Sequence, residues 1–120
     1  MDVENSTPLS RQRCQPCQLG SRPLPHEDVT RLLSTVPRWK KLSVDNMERI
    51  QREYHFKDFR SGFDFAYKLA ALSERENHHP TLFIEWGQVT VTWWTHKVNG
   101  LHLNDFIMAA KTDLLASQSS

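Results

Sequence analysis

Cysteine is scarce in this chain: two in 120 residues, Cys14 and Cys17. A disulfide-stapled scaffold needs more, so the fold has to rest on a hydrophobic core. Charge of one sign is lacking too, with 15 Lys and Arg against 14 Asp and Glu for a formal +1. No long-range field is available to gather nucleic acid or an anionic membrane surface. No apolar run approaches the roughly 20 residues of a membrane span, and the first stretch has neither the basic head nor the apolar middle of a secretory signal. The expectation is a cytoplasmic protein with neither nucleic acid nor membrane as partner. The four glycines form no phosphate-cradling loop, and no G-x-S-x-G elbow occurs.

What is present is enough apolar bulk for one domain: 38% hydrophobic residues, including six Phe, four Trp and two Tyr. A chain of this length seldom divides. Residues 1–25 are rich in Ser, Gln, Arg and Pro and show no apolar period, which reads as a flexible arm dispensable for folding. From His26 the pattern changes. Val29, Leu32, Leu33 and Val36 lie on one face of a short helix that Pro37 ends. Trp39, Leu42 and Val44, then Asp45-Asn46, then Ile50, Tyr54 and Phe56, read as a hairpin. Asp58 is placed to cap a long helix whose stripe runs through Phe59, Phe63, Ala66, Leu69, Ala70 and Ser73 to Glu76.

Asn77-His78-His79-Pro80 breaks that helix, because proline pushes the residue before it out of the helical region. Leu82 to Trp86 and Gln88 to Thr95 then read as a second hairpin around Gly87. Val89, Val91 and Trp93 lie on one face of it, with Thr90, Thr92, Trp94 and His96 on the other. Asn99-Gly100 marks a turn before a closing helix striped by Leu103, Phe106, Ile107, Ala110 and Leu114. The order α-β-β-α-β-β-α predicts an α+β fold, a four-stranded antiparallel sheet with three helices packed on one face. The domain is bounded at 26–116, leaving 117–120 as a disordered tail. Two sheet edges and a Trp-rich strand invite association of subunits.

Three of the six histidines, His78, His79 and His96, fall at the ends of predicted elements, where binding and catalytic groups are commonly displayed. An imidazole titrates near neutral pH and suits proton transfer in either direction. Glu74, one helical turn before His78, is placed to bond that imidazole or a substrate N–H. Against this stands the plainer reading of exposed loop histidines. A metal site is the weaker alternative, since adjacent histidines seldom aim at one ion and Cys14-x-x-Cys17 has no second pair. The cysteines read as a solvated dithiol, with His26 as a conceivable third ligand. Trp39 or Trp94 is suited to stack on a planar heterocycle.

The run Glu74-Arg75-Glu76-Asn77-His78-His79-Pro80, followed by Thr95-His96 and Gly100-Leu101 through Asp105, strongly resembles the pterin-4a-carbinolamine dehydratase family. Tyr54 to Phe59 and Trp39 are similar to that family's segments as well, and the resemblance spans about His26 to Leu115. It implies dehydration of 4a-hydroxytetrahydropterin to quinonoid dihydropterin, with no metal or organic cofactor. It also implies a pterin site with His78, His79 and His96 as catalytic groups, and Glu74, Trp39 and Asp105 binding substrate. Lys97 and Ile84-Glu85-Trp86 depart from many relatives. Together with the cysteine arm, the Leu82–Trp94 run looks like a bacterial branch that accompanies phenylalanine hydroxylase. Homodimers or homotetramers are expected from the resemblance.

Overall fold

The computed structural model describes residues 7–16 and 22–118; Cys17 and the last two residues of the expected tail lie outside them. Seven regular elements follow in the expected order: α1 (His26–Leu33), β1 (Lys40–Val44), β2 (Met47–His55), α2 (Phe59–Glu76), β3 (Thr81–Glu85), β4 (Gln88–Trp93) and α3 (Leu103–Ser117). The strands form one antiparallel sheet ordered β1-β2-β4-β3. Among the described residues no helix is long and apolar enough to cross a membrane.

Each connection has a local cause. Asp45 and Asn46 take φ of 53° and 64°, the left-handed pair that a two-residue hairpin turn demands, and pairing resumes at once with Val44 opposite Met47. In the second hairpin Gly87 supplies the positive φ, 77°. Asp58 caps α2 by accepting from Ser61 N–H at 2.8 Å, and hydrogen bonding from the Ser61 hydroxyl first and its N–H second holds its carboxyl below the ordinary range. At the other end Asn77 turns left-handed, with φ 54°. His78 N–H then reaches Ser73 C=O and Asn77 N–H reaches Glu74 C=O, the paired bonds of a Schellman stop.

Ile50 and Tyr54 of β2 lie opposite Trp93 and Val89 of β4, and these four with Val91 are buried in the core. Leu69 and Phe65 of α2, Val29 and Leu32 of α1, and Phe106 and Met108 of α3 complete the core.

Four expectations need correction. Phe59 and Phe63, read as part of the apolar stripe of α2, are 48% and 46% exposed, and Phe65 and Leu72 are buried instead. Leu114 is 48% exposed rather than part of an inward stripe. The first turns of α3 are covered on more than one side, so burial runs almost continuously from Asn104 to Ala109. The helix also continues to Ser117, into the expected tail. Finally, the described arm is docked. A short 3₁₀ turn at Leu9–Arg11 packs against α3, Lys111 donates to Ser10 C=O, and Leu24 N–H donates to Leu101 C=O. A Cβ on Gly100 would stand 3.0 Å from the Pro23 side chain, so glycine there permits the close approach of the arm.

Candidate active site

His78 leaves the Asn77 reversal pointing inward, stacked on Trp93 with ring centroids 5.5 Å apart and planes 8° from parallel. Its Nε2 lies 2.7 Å from Asp105 Oδ1. Asp105 is 0% exposed and also accepts from Thr95 Oγ1 at 2.7 Å and from His102 N–H at 3.0 Å. A carboxylate can only accept, so His78 Nε2 carries a proton and Nδ1 is the ring atom with bonding capacity to spare. A buried acid that fixes an imidazole's tautomer and direction is a recurring device for proton transfer.

Glu74 was expected beside His78, but it bonds His79 Nε2. In a continuous helix residues 74 and 78 would share a face. Because the helix ends at Asn77, His78 swings under the sheet and His79 falls over Glu74, both of that pair being exposed. His96 differs in setting from its predicted strand end. β4 stops at Trp93, Thr95 bridges to Gly100, and His96 opens a 3₁₀ turn through Val98. Its ring lies 3.8 Å from that of Trp94, over which the Arg49 guanidinium also sits at 4.0 Å.

The three histidines share one cavity of about 350 Å³, lined also by Trp94, Thr95, Lys97, Glu76, Asn77, Asn104 and the arm residues Cys14, Gln15 and Pro16. A larger open cleft lies elsewhere, bordered by Arg38, Arg52, Tyr54 and Asp113. Its central polar groups are already paired: Asp113 Oδ1 accepts from Trp39 Nε1 at 3.0 Å, from Arg52 at 2.7 Å and from the Tyr54 hydroxyl. Burial first, and that bond second, push the Tyr54 phenol up.

Trp39 is thus a buried partner of Asp113 and does not line the histidine cavity. Asp113 lies eight residues beyond Asp105 on α3, about 12 Å along the helix axis. Trp93, Asn104, Gln15 and Pro16 were not proposed as site residues from the sequence, Thr95 and Glu76 entered only inside the family motif, and Cys14 only as a weak metal ligand. His102-x-x-Asp105 was legible in principle, since a capping acceptor with an acid three residues later is a helix-start signature. His102 Nδ1 accepts from Asn104 N–H at 3.0 Å, and burial draws its pKa below the ordinary value. Among the described residues no three His, Cys, Asp or Glu side chains are grouped to hold a metal ion.

Comparison with known proteins identifies the family. A protein of Microcystis aeruginosa, provisionally named pterin-4-alpha-carbinolamine dehydratase, is 46% identical over 95% of this chain and 98% of its own. A protein of Syntrophotalea carbinolica with the same provisional name is 45% identical over 89% and 96%. A crystal structure from Brucella melitensis, described as a transcriptional coactivator/pterin dehydratase, superposes with a TM-score of 0.71 at 34% identity, covering 79% of this chain and 99% of that one. The sequence profile of the family described as "Pterin 4 alpha carbinolamine dehydratase" matches residues 22–115. With three histidines around one cavity and relatives aligned along nearly their full length, the chain belongs to the pterin 4 alpha carbinolamine dehydratase family of hydro-lyases.

Proposed function

We propose that the chain dehydrates 4a-hydroxytetrahydropterin by histidine acid–base catalysis, with the cavity of His78, His79 and His96 as its site. The supporting observation is the His78–Asp105 pair, an imidazole locked by a buried acid at the edge of a cavity that two more imidazoles share. In the reaction one imidazolium protonates the 4a hydroxyl as the C4a–O bond breaks, and a second, neutral imidazole accepts the N5 proton. The N–H electron pair forms the C4a=N5 bond of quinonoid dihydropterin, and water leaves. Proton donor and acceptor held beside the reacting edge remove the need for bulk water to supply both. Asp105 fixes His78 from below without contacting substrate, and Glu74 plays the corresponding part for His79. Trp39 belongs to the Asp113 network, outside the proposed site.

The reaction would return oxidised pterin to the recycling path of an aromatic amino acid hydroxylase in the cytoplasm, with phenylalanine hydroxylase as functional partner. Homo-oligomers are part of the same reading. Phe59, Phe63 and Tyr67 lie at i, i+4 and i+8 on an exposed face of α2, and β1 and β3 leave the sheet with two edges. The deciding experiment is the rate of 4a-hydroxytetrahydropterin loss with enzyme against buffer alone. Since the carbinolamine also dehydrates unaided, the expected result is an enzyme-proportional acceleration, and none would refute the proposal.

A further inference from the structure

One wall of the cavity is His78, itself backed by the buried Trp93 ring and Asp105 carboxylate, and another stretch of its lining belongs to the arm. That stretch is clamped through its backbone to both helices that carry the site. Cys14 N–H donates to Glu76 Oε1 at 3.0 Å, and Arg13 Nε lies 3.3 Å from Glu76 Oε2. Gln15 N–H donates to Asn104 Oδ1 at 2.8 Å, and Asn104 Nδ2 donates back to Gln15 C=O at 2.6 Å. Glu76 precedes His78 by two residues and Asn104 precedes Asp105 by one, so the clamp grips the chain on both sides of the His78–Asp105 pair. The Glu76 side chain is 7% exposed and Asn104 is 2% exposed. Polar groups this buried need partners, and here main-chain groups of the arm supply them.

Resting on the dehydratase reading, we infer that Cys14–Pro16 form the wall that receives the C6 substituent of the pterin, making the arm a determinant of substrate specificity. The chemistry of the ring leads there. The reacting atoms are C4a and N5, which have to face the histidines, and C6 is bonded to N5. A C6 substituent therefore starts one bond from the reacting edge. With the side behind His78 filled, it leaves outward past the wall adjoining His78, which is the arm. A pterin bearing a polar dihydroxypropyl chain meets this wall, whereas a 6-methyl pterin scarcely reaches it.

The arm's positioning residues provide the test. Glu76→Ala and Asn104→Ala each release one clamp, and Glu76→Gln keeps an acceptor oxygen for Cys14 N–H. KM and kcat are measured for the 4a-hydroxy derivatives of tetrahydrobiopterin and of 6-methyltetrahydropterin. The Ala variants should raise KM for the dihydroxypropyl substrate by about fivefold or more, the equivalent of one ordinary hydrogen bond. KM for the 6-methyl substrate should rise far less than KM for the dihydroxypropyl one, and Glu76→Gln should restore most of that difference. Equal KM changes for both substrates, or none, would overturn the inference.

A second measurement uses the unaltered protein and so does not depend on how the variants fold. Trypsin cleavage after Arg13 should slow in the presence of 7,8-dihydrobiopterin and much less with 6-methyl-7,8-dihydropterin; equal rates with both would also overturn it. Absence of dehydratase activity in the unaltered protein would instead sink the underlying reading of the site.

Discussion

Asp105 divides two oxygens among three donors, His78, Thr95 and the His102 N–H, so an amide in its place keeps one acceptor oxygen: its N–H₂ either faces His78 and forces the opposite imidazole tautomer, or faces the His102 N–H, which can only donate. Asp105→Asn should therefore cost turnover comparably to removing His78 itself. Ala at His78, His79 or His96 should each lower the enzyme-catalysed rate by about 10²- to 10⁴-fold, the usual share of a general acid or base. His26, exposed on α1 and outside the cavity lining, is the proper control. Folded Ala variants with unaltered rates would refute the assignment. His102 was the other natural control, but its cap and its bond to Asp105 disqualify it. Because its folded pKa is depressed, chiefly by burial, the unfolded chain binds the proton more tightly. Its stabilising contribution is thus present above an ordinary histidine value of about 6.5 and lost as pH falls through the lower folded value. Protonated Nδ1 can no longer accept from Asn104 N–H. His102→Asn keeps a capping oxygen without titrating, so urea midpoints measured from pH 8 to pH 5 should fall less steeply in that variant than in the parent.

At the level of elements, those whose punctuation is local were readable in advance. Asp45-Asn46, Asp58, Asn77 and Pro80 each act on their own neighbours, and the hairpins and the bounds of α2 follow from them. The first turn offers a clean test. Asn46 sits at φ 64°, where a β-branched residue is strained by about 1–2 kcal/mol and glycine by nothing. Asn46→Val should lower the thermal midpoint and Asn46→Gly should hold or raise it; the reverse order would refute the turn assignment. What escaped the sequence reading is what joins elements far apart. Trp39 meets Asp113 across 74 residues, His78 meets Asp105 across 27, and Gln15 meets Asn104 across 89. Periodicity reports which face of an element is apolar and says nothing about which distant carboxylate an inward polar atom will find. The arm was harder still. It is held largely by main-chain N–H and C=O groups that every sequence possesses, so a composition of Ser, Gln and Pro gives no sign of docking.

For the molecule as a whole, the outer face of α2 presents a line of exposed aromatics. Tyr67 is 71% exposed, in line with Phe59 and Phe63, and contiguous apolar patches of this kind mark protein–protein contacts. Sedimentation at micromolar concentration should show a dimer or tetramer, and Phe63→Asp with Tyr67→Glu should shift it toward the 14.0 kDa monomer. A monomer from the start would refute the association. The buried carboxylate of Asp105 has a consequence beyond chemistry. It ties α3 to the segment after β4 and to the loop after α2, and none of these can peel away alone without stranding a charge in the core. The amide hydrogens of His102, bonded to that carboxylate, and of Thr95, bonded to Gly100 C=O, should therefore exchange with deuterium only when the entire domain opens, at the slow limit set by global unfolding. Where many proteins place their reactive groups on loosely held loops, this one would have one of its three histidines, His78, anchored in its slowest-exchanging region, with His79 and His96 at the exposed rim.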